Sequence, residues 1–257
     1  MPEIVSNPLL AAGTLWLREL VRFYRQPSRV IGALASPLLF WLLLGSGIGS
    51  SFKSGTSSSY LQYFFPGTLL MILFFTAVFS TISIIEDRKE GFLQSVLVAP
   101  IPRSSLVFGK IMGGTTLAFI QAFLFLFLAP FAGLKLSVPG WFEICIALFF
   151  NAFLMTAIGF IIAWQFHSIQ GFHAVMNLLL MPMWILSGAL FPEEGASGWI
   201  RVIMKCNPLS YGMTALRAPF FEGAPFIGPL LITIFLSGVI FALASISASK
   251  SNTQNFK

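Results

Sequence analysis

The sequence predicts an all-α membrane protein of six transmembrane helices, with an interfacial amphipathic helix before them, a short helix between the second and third spans, and a re-entrant helix pair before the sixth. Three observations predict it. Of 257 residues, 56% are hydrophobic and 9% charged, at a mean hydropathy of +0.86, which excludes an ordinary soluble fold. Six apolar runs are of the order needed to cross a hydrocarbon core about 30 Å thick at roughly 1.5 Å per residue. Two of them flank a charged island, EDRKEGFLQSVLVAPIPRSS at 86–105, that must sit in water on one side of the membrane.

The elements follow in order. Within residues 1–29, Arg18, Arg22, Arg25 and Arg29 fall on one helical stripe, with Trp16, Leu17, Leu20, Phe23 and Tyr24 broadly opposite. A basic face backed by apolar residues reads as a helix lying in the membrane interface, broken by Pro27. The membrane body, 30–248, holds spans at about 30–48, 61–85, 106–131, 142–165, 174–190 and 225–247. A Ser- and Gly-rich loop with Lys53 at 50–60 is expected to be flexible. Lys110, near the start of the third span, is expected to snorkel to the interface. The fifth span is short and contains Asn177, Pro182 and Gly188. Residues 191–223 are too long and too apolar for a plain loop; two short helices on either side of Asn207-Pro208, dipping into the outer leaflet, account for the pattern. A polar tail follows at 249–257.

In the island, Phe92, Leu93, Val96 and Leu97 share one helical face among Glu86, Asp87, Arg88, Lys89, Glu90 and Gln94. One amphipathic helix at about 86–99 is expected, with acidic residues in its first turn and Pro100 and Pro102 ending it. Such a helix either rests on headgroups or docks a partner. Ten Lys and Arg (Arg18, Arg22, Arg25, Arg29, Arg88, Lys89, Arg103, Lys110, Lys250, Lys257) fall on the side of the termini and the island, against five (Lys53, Lys135, Arg201, Lys205, Arg217) opposite. The excess assigns that side to the cytoplasm, both termini included, in a multi-pass protein of the cell (inner) membrane.

Several classes of function lose support. No Asp, Glu, Lys or Arg stands mid-span, where ion-coupled carriers keep relay or binding groups. Gly109-Lys110 lacks the upstream glycine of a phosphate-binding loop, so ATP has no such site here. His167 and His173 have no acidic or cysteine neighbours, and Cys145 and Cys206 form no ligand spacing, so no metal is expected. Basic residues flank apolar runs, where lipid headgroups rather than nucleic acid are the nearer counter-charge. No catalytic constellation is readable, and no short apolar core followed by a small-residue cleavage site is seen near the start. Gln121, Asn151, Thr156, Asn177 and Thr233, polar at depth, are expected to hydrogen-bond between helices. Twenty-nine phenylalanines against four tyrosines suit a lipophilic cargo, although packing and lipid contact account for the same count.

Three segments together, EDRKEGFLQSVLVAPIPRSSLVFGKI at 86–111, QGFHAVMNLLLMPMWILSGALFP at 170–192 and NPLSYGMTALR at 207–217, resemble the membrane subunit of type-2 ABC exporters, a permease family that moves drugs, polysaccharides or lipids. The resemblance implies that the island is a coupling helix docking a separate ATP-binding cassette subunit through Glu86, Asp87, Arg88, Glu90, Gly91, Phe92, Leu93 and Val96. It implies that the Arg18–Arg29 helix lies beside it, and that Asn177, Pro182, Gly188, Phe191, Pro192, Trp199, Asn207, Pro208 and Tyr211 belong to the pathway and its re-entrant gate. Two permeases, expected as a homodimer in the bilayer, and two ATPases holding ATP and Mg would make the complex, with the path bordered mainly by the second and fifth spans. A passive channel or a membrane scaffold without an ATPase is the alternative.

Overall fold

The computed structural model describes residues 7–48, 59–221 and 223–250; most of the loop expected at 50–60, Lys53 included, and most of the tail at 249–257 lie outside them. Helix α1, Pro8–Tyr24, opens on an Asn7 cap that accepts from the Leu9 N–H, and Pro27 then starts α2, Pro27–Ile48, at the position where a missing N–H costs nothing. The second span, α3 (Tyr60–Ser80), opens on a capping box in which Ser59 Oγ accepts from Gln62 N and Gln62 Oε1 accepts from Ser59 N. It runs on through α4, Ile82–Lys89. The third span is α6, Arg103–Leu126, and the fourth α7, Val138–Gln165.

The fifth span, Ile169–Ala189, is discontinuous. Regular turns at α8 (Ile169–Val175) and α9 (Met181–Trp184) alternate with two wider, π-type stretches, Met176–Leu180 and Ile185–Ala189. Pro182 removes an N–H inside it, and Gly188 turns the backbone left-handed at φ 87°. Two short helices, α10 (Gly198–Cys206) and α11 (Pro208–Arg217), precede the sixth span, α12 (Ile227–Lys250).

The second span is the axis of the subunit. Its most apolar stretch is 89% buried, whereas the first, fifth and sixth spans are each only 22% buried. It packs against α2, α6, α7 and α11, and Trp41, Phe65, Phe125 and Phe220 meet around it with ring centroids 5.2–5.7 Å apart. Close approach at the third span depends on Gly109 and Gly113: a Cβ on the first would sit 2.7 Å from the Ala12 carbonyl oxygen, and on the second 2.6 Å from Glu19 Cβ. These two glycines let α1 lie directly on the start of α6, which brings its polar residues to the ends of two spans.

Candidate coupling site and outer cap

Six ionised side chains, three of each sign, meet where α1, α4 and α6 converge. Asp87, fully buried at the end of the second span, accepts from both guanidinium nitrogens of Arg18 (2.9 and 2.7 Å), from Arg22 Nη1 (2.7 Å) and from Lys110 Nζ. Lys110 also donates to Glu19 Oε1 (2.5 Å) and Ser83 Oγ (3.2 Å), and Arg22 Nη2 donates to Glu86 (2.9 Å). A charge this deep is tolerated only when paired and fully hydrogen-bonded, and the network meets that condition with zero net charge. Burial alone would lower the Arg18 pKa, but the hydrogen bonds and negative charge of Asp87 outweigh it and raise it further.

Two expectations are corrected here. Lys110 does not snorkel; it is 5% exposed and points into the subunit. The arginine stripe is not one headgroup-facing surface, because Arg18 and Arg22 turn toward Asp87 and Glu86 while Arg25 is exposed; the side chain of Arg29 lies outside the description.

The segment expected as one helix at 86–99 is divided. Glu86, Asp87 and Arg88 prolong the second span, the chain turns at Gly91 (φ 79°), and a separate helix, α5, covers Phe92–Val98. Arg88 faces inward too, donating to the carbonyls of Trp164 (2.6 Å) and Phe166 (2.8 Å) and so satisfying the C-terminal end of the fourth span. In α5, Leu93 is buried and Val96 half-buried, while the Phe92 ring lies 3.7 Å beneath the Arg18 guanidinium. Lys89, Glu90, Gln94, Ser95 and Val98 form the exposed surface. The chain Phe92–Arg18–Asp87–Lys110 therefore joins that surface to the second and third spans through direct contacts.

At the opposite end, the broken fifth span exposes backbone carbonyls that side chains from its neighbours satisfy. Asn207 Nδ2 donates to Met183 O (2.6 Å), Ser210 Oγ to Leu186 O (3.4 Å), Tyr63 Oη and Arg217 Nη2 to Gly188 O (3.0 and 2.9 Å), and Tyr60 Oη to Leu190 O (3.1 Å). Asn207 also caps α11 through Leu209 N, Pro208 occupies its first turn, and Tyr211 donates to Lys205 O. Phe191 and Pro192 are half-buried, Trp199 is 69% exposed, and Asn177 and Pro182 lie on the exposed face of the fifth span. Of the amides and hydroxyls expected to bridge helices, Gln121 accepts from Thr76 and Asn151 donates to Gly212 O, whereas Thr156 and Thr233 bond within their own helices.

Sequence reasoning missed Glu19, Tyr63 and Arg217 as site residues. Glu19 carried a signal, an acid on the apolar side of a basic helix, and so did the G-x-x-x-G spacing of Gly109 and Gly113. Tyr63 and Arg217 carried none, because their shared partner is a backbone atom of a distant break.

A polytopic helical subunit whose charged groups gather at one end, beneath a small helix, and whose other end is capped by a broken span, has the form of a membrane transport component. The chain belongs to the ABC-2 type transporter family, whose model matches residues 11–221, and as a permease it is a transmembrane subunit of an ABC transporter. It is 31% identical over 206 residues to ycf38 of Cyanophora paradoxa, a transport permease by name, covering 78% of this chain and 70% of that one. It is 23% identical to the daunorubicin resistance ABC transporter permease protein of Streptomyces coeruleorubidus, over 94% and 85% of the two chains. It is also 23% identical to the inner membrane transport permease YadH of Escherichia coli, over 91% of each.

Proposed function

We propose that the chain exports its cargo by coupling to a separate ATP-binding cassette subunit that holds ATP and Mg, with a second, identical permease completing the path. The observation that carries the reading is the continuous contact from the exposed face of α5 through Phe92, Arg18 and Asp87 to Lys110 in the third span. A force on α5 would reach two spans without crossing solvent. The docking surface is Lys89, Glu90, Gln94, Ser95 and Val98, with Phe92, Leu93 and Val96 seating α5 and Glu86, Asp87 and Arg88 anchoring it from within. In this reading α1 lies at the cytoplasmic interface, both termini are cytoplasmic, and α10 and α11 enter the outer leaflet as a re-entrant cap over the exit.

The test leaves the ion network intact. Val98→Asp with Gln94→Arg, both on the exposed face, is expected to abolish co-purification of a nucleotide-binding partner while membrane insertion persists. Transport by the purified chain alone would overturn the coupling reading and favour a passive channel.

A further inference from the structure

A cavity of about 340 Å³ opens beside the outer cap, between the break in the fifth span (Ser187, Gly188) and the segment leading into the sixth (Ala224, Pro225). Its volume lies within the roughly 300–1,000 Å³ of small-ligand pockets. Both signs of charge line it, Arg217 against Glu193 and Glu194, yet among the described residues Arg217 has no carboxylate within ion-pairing distance. One guanidinium nitrogen of Arg217 is committed to Gly188 O and its Cζ lies 4.2 Å from the centroid of the Tyr63 ring, two contacts that hold the group in place. Its Nε is buried and has no hydrogen-bond partner among the described residues. The guanidinium's positive charge therefore meets a carbonyl but no anion among the described residues, and the cavity it lines favours an anionic group. The carboxylates lie toward solvent: Glu194 is exposed, and Glu193 has only a 3.7 Å contact with exposed Lys205.

Positive charge on one part of the lining and negative charge toward solvent, not in ion-pairing contact with each other, match a ligand that carries the reverse arrangement. We propose that this cavity binds a zwitterionic phosphate–ammonium group such as phosphoethanolamine, its phosphate at Arg217 and its primary ammonium between Glu193 and Glu194. Ser210 and Thr214 also line the cavity. The same chemistry arises as a free solute or as the headgroup of phosphatidylethanolamine. The site is independent of the coupling reading, since it uses no residue of α1, α4 or α5.

The experiment is native mass spectrometry of the full-length protein with added phosphatidylethanolamine, phosphatidylglycerol or phosphatidylcholine of matched chains. Phosphatidylethanolamine is expected to bind at least fivefold more tightly than the other two, since phosphatidylglycerol lacks the cation and the choline ammonium cannot donate hydrogen bonds. Glu193→Gln with Glu194→Gln, neither of them buried, is expected to erase that preference. Soluble phosphoethanolamine that competes would show that the polar group suffices; failure to compete, with the lipid preference intact, would assign the site to the membrane lipid. Equal binding of the three lipids, or a preference unchanged in the double variant, overturns the proposal.

Discussion

Asp87 accepts four hydrogen bonds from three cations, which fills the lone-pair sites of a carboxylate. Removing its charge leaves Arg18, Arg22 and Lys110 crowded around a neutral amide. Asp87→Asn is therefore expected to cost about 3–5 kcal/mol, and Lys110→Met a similar amount, read from thermal unfolding in detergent. Arg25→Gln is the control: its side chain is exposed and has no ion pair among the described residues, so a change within about 0.5 kcal/mol is expected. Equal stability of all three variants would show that the buried charges do not hold these helices together. At the outer end, Asn207 both caps α11 and satisfies Met183 O. Asn207→Ala is expected to cost about 2 kcal/mol, the upper end for a lost cap, because a second acceptor is stranded with it.

Each helix depends on a different local device, and the devices differ in how readily they show in sequence. The apolar length of the spans is written into composition, so their number and order follow directly. Where a helix breaks is less visible: the island reads as one amphipathic helix, but the left-handed turn at Gly91 makes its first residues the end of the preceding span. Periodicity showed that Phe92, Leu93 and Val96 share a face. It could not show that Glu86, Asp87 and Arg88 point inward, because their partners, Arg18, Arg22, Lys110 and two backbone carbonyls of the fourth span, are 64 to 78 residues away or, for Lys110, 23. The fit of α1 on α6 is testable at this scale. Gly109→Val would drive a side chain into the Ala12 carbonyl, so α1 is expected to become cleavable by protease while the spans stay inserted. Undiminished protection would mean that α6 can yield to the added carbons.

The subunit's faces are unequal. The sixth span turns Ile227, Leu231, Phe235, Val239 and Leu243 outward, all apolar and suited to lipid tails. The fifth exposes Leu178 at 81% but also the Asn177 amide, which has no hydrogen-bond partner among the described residues and is poorly suited to hydrocarbon. A second copy or a hydrated passage is the fitting neighbour for it. In a chain with Cys145 and Cys206 replaced, a cysteine at 177 is therefore expected to cross-link two subunits, whereas one at 235 is not. Cross-linking at 235 alone would place the seam on the sixth span.

The charge network also fixes an order of assembly. Glu19 leaves the ribosome ninety-one residues ahead of Lys110, and Arg18 sixty-nine ahead of Asp87. The nascent N-terminal segment lacks Asp87 and Glu86 until the second span is complete, and Glu19 and Asp87 lack Lys110 until the third span has begun to enter the bilayer. Translation intermediates halted before residue 110 should keep that segment open to digestion, and those halted well beyond it should not; early resistance would mean that the beginning of the chain settles without waiting.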